Sequence, residues 1–144
     1  MWLPKFALSL TLFCALLSGC GGADDPQAAL EAAVQQLQDN LEAKKTNAVI
    51  EQLHPEFTAQ ATYDRDWAKR TMTLMFLRHK NIKVLALSKS SHIDPTYSDK
   101  GHTEAQVGLV GAEGLIPDSA KHYTVKLEWW LEDGEWRLAR LDWQ

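Results

Sequence analysis

Three polar side chains stand where the predicted elements could place them in a pocket: His79, Arg140 and Asp142. His79 ends the apolar face of a predicted helix, where it could act as a general acid or base. A histidine at such a position also serves the helix C-terminus, where the helix dipole favours a cation. Arg140 and Asp142 share a predicted strand face with apolar residues, so the pocket hypothesis competes with a structural Arg–Asp pair. We treat all three as candidate pocket residues.

The register of the strand that carries Arg140 and Asp142 follows from the turn before it. Asp133-Gly134 between two alternating strands predicts a two-residue type I′ hairpin. Counting outward gives these cross-strand pairs on one face: Leu131 with Trp136, Trp129 with Leu138, Leu127 with Arg140 and Val125 with Asp142. A bulge near Ala139 is the alternative, because it would turn Arg140 and Asp142 to the opposite face. Trp136 and Leu138 are at even-numbered positions, whereas Leu141 and Trp143 are at odd-numbered ones. A bulge between them would bring all four apolar residues to one face.

The opposite face of the same hairpin carries a candidate interface formed by Trp130, Arg137, Leu141 and Trp143. Trp130 stands opposite Arg137, an arrangement that suits a cation–π contact. Two tryptophans and a leucine on an outer sheet face exceed what a monomer usually exposes. We therefore predict a homodimer, or a partner protein, docked on this face.

Other catalytic and ligand-binding motifs are weak or absent in the sequence. His92 and His102 flank a turn region with Asp94 and Asp99, but these residues lack the tight spacing of metal ligands, so we expect no metal. The sequence has no nucleophile elbow, no phosphate-binding glycine loop and no HExxH motif, and we expect no cofactor. It has 15 basic and 19 acidic residues without a basic block, so we expect no nucleic acid partner.

Three helices are predicted ahead of the strands that carry these residues. Asp25 and Pro26 have the residue types of an N-cap and a first helical position. The first helix then presents one apolar stripe, formed by Leu30, Val34, Leu37 and Leu41. Thr46 caps a short second helix, which His54-Pro55 ends because a residue before proline avoids the helical region. The connection that follows contains Phe57, which we expect to pack beneath it.

The third helix and the strands complete the pattern. The helix begins at Asp64 or Asp66, runs to about Lys80, and places Ala68 and Met72 on one face with His79. The hydrophobic period then changes to two and predicts four strands, over residues 82–92, 102–111, 121–132 and 135–143. Helices followed by an antiparallel meander indicate an α+β fold, with the helices on one face of a curved sheet.

The order of these elements resembles the nuclear transport factor two-like superfamily. The resemblance rests on a long helix, a short helix, a third helix that feeds into a strand, and the hairpin Trp-Leu-Glu-Asp-Gly-Glu-Trp-Arg-Leu, and it covers residues 26–144. It implies a cone of three helices on a curved, mainly antiparallel sheet of four or more strands. Cystatin-like or other small α+β lipoproteins are the alternative. The superfamily includes isomerases, dehydratases and cyclases, but none of their catalytic patterns matches this chain residue by residue.

The beginning of the chain resembles the signal of a bacterial lipoprotein. Lys5, the apolar run of residues 6–17 and the small residues Ser18 and Gly19 have the order of a secretory signal. The run is shorter than the about 20 apolar residues that a membrane-spanning helix needs. Leu17-Ser18-Gly19-Cys20 resembles a lipobox. The alternative is an ordinary secretory signal with a chance cysteine at the cleavage site.

The lipobox resemblance implies a domain organisation and a location. Residues 1–19 would be removed, Cys20 would be lipidated, residues 20–25 would form a tether, and residues 26–144 would form one α+β domain. The membrane would then be a partner through the lipid anchor on Cys20, because several acyl chains together anchor a protein stably. Gly21 favours the outer membrane, facing the periplasm, because aspartate at that position retains many lipoproteins at the inner membrane.

Three functional hypotheses follow from the sequence. The first is a non-enzymatic lipoprotein of the cell envelope that binds a small apolar ligand or a partner protein. The second is an isomerase- or hydratase-like enzyme that uses His79, Arg140 or Asp142 in a cone pocket. The third is a structural adaptor with a filled cone. Leu115 and Ile116, in the loop between the second and third predicted strands, are a candidate lid or partner contact.

Overall fold

Three helices and five strands make up the part of the chain that the computed structural model describes, residues 25–111 and 123–144. In chain order the elements are α1 (Pro26–Glu42), α2 (Thr46–Gln52), β1 (Leu53–Ala59), α3 (Arg65–Arg78), β2 (Ile82–Ile93), β3 (Lys100–Gly111), β4 (Tyr123–Glu132) and β5 (Glu135–Trp143). The strands form one sheet in the order β1-β5-β4-β3-β2. This is the predicted α+β class, with a mixed rather than a purely antiparallel sheet.

Two predicted segments lie outside the described residues. One is the N-terminal segment that contains Leu17-Ser18-Gly19-Cys20, and the other is the loop that contains Leu115 and Ile116. Among the described helices, none is long and apolar enough to cross a membrane.

Two of the three helix starts follow the predicted capping chemistry. Helix α2 does not, because its N-cap is Lys45 rather than Thr46 and no side-chain hydrogen bond caps it. The Asp25 carboxylate accepts the backbone N–H groups of Gln27 and Ala28, at 3.0 and 3.3 Å, and Pro26 begins α1. The Asp64 carboxylate accepts the N–H of Trp67 at 2.9 Å and begins α3. These contacts satisfy N–H groups that have no partner inside the helix. Of the two aspartates that the sequence suggested, Asp64 is therefore the N-cap of α3.

Strand β1 corrects the sequence prediction. The second helix was expected to end at His54-Pro55 and to be followed by a connection, but Leu53–Ala59 forms a strand that runs parallel to β5. Pro55 is compatible with this strand because β1 lies at the edge of the sheet. A proline there can direct its missing N–H to solvent, where the sheet has no hydrogen bond to lose. The pairing of β1 with β5 is irregular between Leu53 and Thr58, on either side of the proline.

The β4–β5 hairpin confirms the predicted turn and the bulge alternative. Asp133 and Gly134 have positive φ angles of 51° and 77°, as a type I′ turn requires. The pairing then follows the predicted register as far as Trp129 with Leu138, beyond which it shifts. The extra residue at this point is Ala139, which is buried. Every β5 side chain beyond it therefore points to the face opposite the one that simple counting predicts.

The core lies between the helices and the sheet face that they cover, here called the inner face. Leu30 of α1 is fully buried against Gly101 of β3, and Trp129 of β4 is fully buried as well. The cluster of buried side chains consists of Leu30, Val34, Leu53, Phe57, Ala59, Ala68, Trp129, Trp136 and Leu138. All of them lie within residues 25–144, so that fragment contains the whole described core and is expected to fold without the N-terminal segment.

Candidate functional site

An apolar cavity of about 480 Å³ lies between the helices and the inner face. Helix α1 lines it with Val34 and Leu37, α3 with Met72, and β5 with Leu141 and Trp143. The volume falls within the roughly 300–1,000 Å³ of typical ligand pockets. The helix stripe and the sheet face thus enclose a space that their side chains do not fill.

Two polar side chains in the cavity wall, Gln38 and Thr103, are already paired within the protein. Gln38 uses its amide N–H to donate to the backbone carbonyl of Val84 at 3.0 Å. The hydroxyl oxygen of Thr103 accepts the indole N–H of Trp129 at 3.2 Å and bonds to the Ser91 hydroxyl at 2.9 Å. These contacts satisfy side chains that would otherwise be costly to bury. They also reduce the hydrogen-bonding capacity that these two side chains offer to a polar ligand.

Lys89 is the one charged side chain that lines the cavity within the described residues. It belongs to β2 and is exposed, so its ammonium group lies at the edge of the cavity rather than in its interior. Its Nζ donates to the side-chain oxygen of Gln35 at 3.3 Å, which is a long contact between neutral and charged partners. Tyr123 adds a phenol to the lining, and the described lining contains no carboxylate and no histidine.

Arg140 and Asp142 do not line the cavity, contrary to the pocket hypothesis. The Ala139 bulge pairs Arg140 with Glu128 instead of Leu127, and this turns both polar side chains to the outer face of the sheet. The Arg140 guanidinium donates to the backbone carbonyl of Glu56 at 2.8 Å. Asp142 is exposed to solvent on that face.

His79 also lies outside the cavity lining. It does not extend the apolar face of α3, because the helix ends at Arg78 and His79 is the extended C-cap residue. Its backbone N–H donates to the carbonyl of Met75 at 3.0 Å, and its own carbonyl accepts the Lys44 ammonium. Position 79 thus ends the helix, in line with the structural alternative.

Leu141 and Trp143, expected in an outer interface, line the cavity instead. The same bulge is the cause, because it moves Leu141 opposite Leu127 and Trp143 opposite Val125. The Trp143 ring stacks on Trp67 of α3, with centroids 6.3 Å apart and planes 12° apart. Two apolar residues that seemed to need a partner are therefore covered by the protein's own helix.

Trp130 and Arg137 lie on the outer face as predicted, but they do not form the expected cation–π contact with each other. The guanidinium of Arg140 lies over the Trp130 ring, 4.8 Å from its centroid. Arg137 donates instead to the backbone carbonyl of Glu51 at 3.3 Å and lies 3.4 Å from the Glu135 carboxylate. The bulge that turned Arg140 outward thus provides the cation.

His54 is a buried polar residue whose role the sequence did not reveal. Its side chain is 4% exposed, and its Nε2 lies 2.8 Å from the carboxylate of Glu132. Its Nδ1 accepts the backbone N–H of Glu56 at 3.0 Å, so Nε2 carries the proton and donates to Glu132. Its ring meets the edge of Trp130, with centroids 4.7 Å apart. The partner is 78 positions away, and no local sequence signal indicates such a contact.

The histidines near the β2–β3 turn form a separate cluster on the outer face. The Nε2 of His102 lies 2.8 Å from the Asp94 carboxylate, and the rings of His92 and His102 are 5.3 Å apart. The hydrogen bond from His102 and those from the backbone N–H groups of Tyr97 and Thr96 lower the pKa of Asp94 to about 2. Within the described residues, no three His, Cys, Asp or Glu side chains converge as metal ligands.

Comparison with known proteins identifies the fold through structure alone. No family model matches the chain, and no curated protein matches it either. A nuclear transport factor two-like protein of unknown function from Pseudomonas putida KT2440 has a TM-score of 0.68 at 7% identity, over 82% of this chain and 84% of its own. The hexachlorocyclohexane dehydrochlorinase LinA-type3 from Novosphingobium barchaimii LL02 has a TM-score of 0.61 at 14% identity, over 83% and 88% of the two chains.

A third similar structure is larger than this chain. Bd1075 from Bdellovibrio bacteriovorus has a TM-score of 0.68 at 10% identity over 80% of this chain, which spans only 40% of that protein. Another similar structure, from Caulobacter vibrioides, has a cystatin-like fold. The chain therefore has a nuclear transport factor two-like, cystatin-like fold. That fold is shared by enzymes and by proteins without a known activity, so it does not by itself select a function.

Proposed function

We propose that this protein is a non-enzymatic, membrane-anchored lipoprotein of the cell envelope that binds a small ligand with an aliphatic chain. The observation that carries the proposal is the apolar cavity of about 480 Å³, whose described lining contains neither a carboxylate nor a histidine. General acid–base chemistry on a bound molecule normally uses such a group within hydrogen-bonding reach. A cavity of this kind is better suited to holding an apolar molecule than to transforming it.

Apolar burial provides the affinity in this proposal. Each methylene group removed from water contributes about 0.8 kcal/mol, so a chain of ten buried methylenes gains roughly 8 kcal/mol before the cost of association. The wall hydrogen bonds of Gln38 and Thr103 support this interpretation, because a ligand does not have to satisfy those groups. The cavity therefore favours alkyl chains over polar metabolites.

Lys89 refines the ligand class to an amphiphile with one anionic end, such as a fatty acid. Its ammonium group lies at the edge of the cavity, where a carboxylate could remain partly hydrated while the chain enters the apolar space. An exposed ion pair of this kind contributes little affinity, about 0–1 kcal/mol. Its main effect is to orient the ligand, with the head group at Lys89 and the chain inside.

The location in the cell envelope rests on the N-terminal sequence. A lipidated Cys20 would hold the domain on a tether of residues 20–25, which reaches at most about 3.5 Å per residue. The domain would then stay close to the membrane, and Gly21 favours the outer membrane. Lipid-derived molecules are abundant in that position, and this agrees with the proposed ligand class.

The experiment is ligand retention by the fragment 25–144, measured by native mass spectrometry after incubation with palmitate. We expect one bound palmitate per chain in the parent fragment. Ala86→Phe narrows the cavity that Ala86 lines and should reduce retention at least about tenfold, given the volume it removes. Ala32→Phe makes the same change at an exposed position of α1 outside the lining and should leave retention unchanged. Equal retention of palmitate by both variants, or no retention by the parent fragment, would contradict the proposal.

The two alternatives from the sequence lose their support in the structure. The enzyme hypothesis relied on His79, Arg140 and Asp142, which all lie outside the cavity lining. The adaptor hypothesis required a filled cone, and the cavity that the described residues enclose favours a binding function over it. The likeness to a dehydrochlorinase is a likeness of fold at 14% identity and brings no catalytic residues to this chain.

The homodimer remains a prediction, but fewer residues of the predicted interface now support it. Of its four residues, Trp130 and Arg137 lie on the outer face, while Leu141 and Trp143 line the cavity. Trp130 is half-buried under Arg140 and beside His54, so it contributes less free apolar surface than the sequence suggests. Sedimentation velocity of the fragment 25–144 at micromolar concentration tests the dimer, and a monomer throughout would contradict it.

A further inference from the structure

The charges of this acidic protein are segregated. Residues 67–93 contain six of its 15 basic residues and none of its 19 acidic residues. This segment comprises most of α3 and all of β2, which lie on two sides of the cavity. All six are exposed, and five of them lie outside the cavity lining: Lys69, Arg70, Arg78, Lys80 and Lys83. Within the described residues none of the five is in a salt bridge.

Exposed leucines lie among these cations. On α3, Leu77 is 81% exposed and Leu74 is 47% exposed. Arg70, Leu74 and Arg78 succeed one another at a spacing of four residues, and Leu77 lies three residues after Leu74, so the four share one surface of the helix. The leucines contact solvent although α3 has an inner face available for apolar residues.

Strand β2 repeats this combination. Lys83 and Leu85 are two residues apart, so their side chains point to the same side of the strand, away from the cavity-lining Val84. Leu85 and Leu87 are both about half exposed. Lys83 and Leu85 belong to the outer face of the sheet, whereas α3 lies on the side of the inner face, so β2 and α3 present separate surfaces. We call the α3 surface formed by Arg70, Leu74, Leu77 and Arg78 the docking face.

We propose that the docking face binds the surface of a bilayer that contains anionic lipids. Leucines that enter the boundary between head groups and acyl chains, surrounded by lysine and arginine, are the combination by which peripheral proteins bind such surfaces. Each basic residue near an anionic membrane contributes about 1 kcal/mol. The absence of carboxylates from residues 67–93 removes the repulsion that would oppose this contact.

The same charges argue against a second copy of this chain as the occupant. A two-fold symmetric contact places the same surface on both sides, so the cations of one docking face would oppose those of its copy. Such like-charge contacts are unfavourable. A surface of anionic head groups supplies the opposite charge, and the exposed leucines enter its apolar layer.

The position of α1 gives the orientation of the docked protein. Gln27, near the start of α1, donates to the carbonyl of Ser91, and Gln38 donates to that of Val84, so α1 runs antiparallel along β2. Lys44, just after α1, donates to the carbonyls of Phe76 and His79 at the end of α3. The docking face therefore lies near the C-terminal end of α1, about 25 Å along its axis from Pro26 at about 1.5 Å per residue. Docking would lay α1 along the membrane. A lipid on Cys20 would then hold the N-terminal end of α1 at the membrane, and the docking face would hold the C-terminal end.

The test uses the fragment 25–144, which lacks Cys20, in flotation with two kinds of vesicle. One is pure phosphatidylcholine and the other is a mixture of phosphatidylcholine and phosphatidylglycerol. We expect binding to the anionic vesicles only, and we expect high salt to weaken it because salt screens exposed charges. Arg70→Gln with Arg78→Gln should lower the partition coefficient roughly tenfold or more. Lys126→Gln with Arg137→Gln removes the same charge from the outer face and should change it little.

A second pair of variants separates the apolar contribution. Leu74→Ser with Leu77→Ser leaves the charges in place and should also reduce binding, by an amount that salt does not change. Docking does not require an occupied cavity, so Ala86→Phe should dock normally even if it binds no palmitate. Equal binding to both vesicle types, no binding, or equal losses in the two charge variants would overturn the proposal. So would self-association of the fragment that the Arg70→Gln, Arg78→Gln pair abolishes.

Discussion

Leu141 of β5 pairs with Leu127 of β4, although counting from the Asp133-Gly134 turn pairs Leu127 with Arg140. The one-residue difference is the bulge at Ala139. Because neighbouring strand residues point to opposite faces, the bulge exchanges the environments of all the side chains after it. It converts a mixed polar and apolar strand end into a cavity wall on one face and a charged surface on the other.

Adjacent substitutions after the bulge test this arrangement. Leu141→Ala removes a half-buried cavity-lining side chain, and we expect it to lower the free energy of unfolding by about 1–3 kcal/mol, somewhat less than for a fully buried leucine. Asp142→Ala alters an exposed side chain and should change it by less than about 0.5 kcal/mol. Urea denaturation of the fragment 25–144 measures both. A larger loss for Asp142→Ala than for Leu141→Ala would mean that the two faces are assigned the wrong way round.

The contact between Gly101 and Leu30 predicts a steric effect. A Cβ atom at position 101 would lie 2.7 Å from Cδ2 and 3.0 Å from Cδ1 of Leu30, which is fully buried and has little room to move. We therefore expect Gly101→Ala to destabilise the protein by about 1–3 kcal/mol. Leu30→Ala alone should cost about 2–5 kcal/mol.

Their combination distinguishes a clash from a backbone effect. If Gly101→Ala acts through Leu30, the double variant loses less than the sum of the two single losses, because the truncated side chain makes room for the new methyl group. Strictly additive losses in a double-mutant cycle would show that the methyl group clashes with something other than Leu30. Thermal or urea unfolding of the four proteins provides the measurement.

Lys89 predicts a preference between two ligands of equal chain length. In the proposed orientation its ammonium group faces the carboxylate of palmitate, while hexadecanol offers no charge. Lys89→Met should therefore weaken palmitate binding roughly two- to fivefold, the range expected of an exposed ion pair, and leave hexadecanol binding unchanged or stronger. Competition with a fluorescent fatty acid measures both. Lys126→Met, at an exposed outer position, is the matched control, and an equal effect there would remove Lys89 from the site.

The His102–Asp94 pair predicts a pH effect on stability. The folded pKa of Asp94, about 2, lies below its ordinary value of 3.8, so the folded state binds the proton less well than the unfolded state. The stabilisation is therefore complete above pH 4 and is lost as the pH falls towards 2. Asp94→Asn should flatten this part of the stability profile. Carboxyl NMR titration should find the Asp94 midpoint near 2 in the parent, and a midpoint near 3.8 would contradict the hydrogen-bonded geometry.

Local sequence signals predicted the three helices, four of the five strands and several of their ends. Asp25 with Pro26 and Asp64 supplied the chemistry that begins α1 and α3, and Asp133-Gly134 supplied the backbone angles of the hairpin. These signals work because each depends on atoms within a few residues of one another. The α+β class and the resemblance to a cone-shaped fold follow from the order of these elements alone.

The composition of the site was decided by contacts that local signals do not encode. A bulge at Ala139 moved Arg140 out of the cavity and Leu141 into it, and a single alanine carries little information about such a shift. The buried His54 binds Glu132, which is 78 positions away in the sequence. Pro55 made the edge strand β1 look like a connection. The free energy of these arrangements comes from packing and from satisfying buried polar groups across the sheet. The sequence alone therefore determined the three helices and four of the five strands, while the tertiary structure added the edge strand β1 and decided which side chains face the cavity.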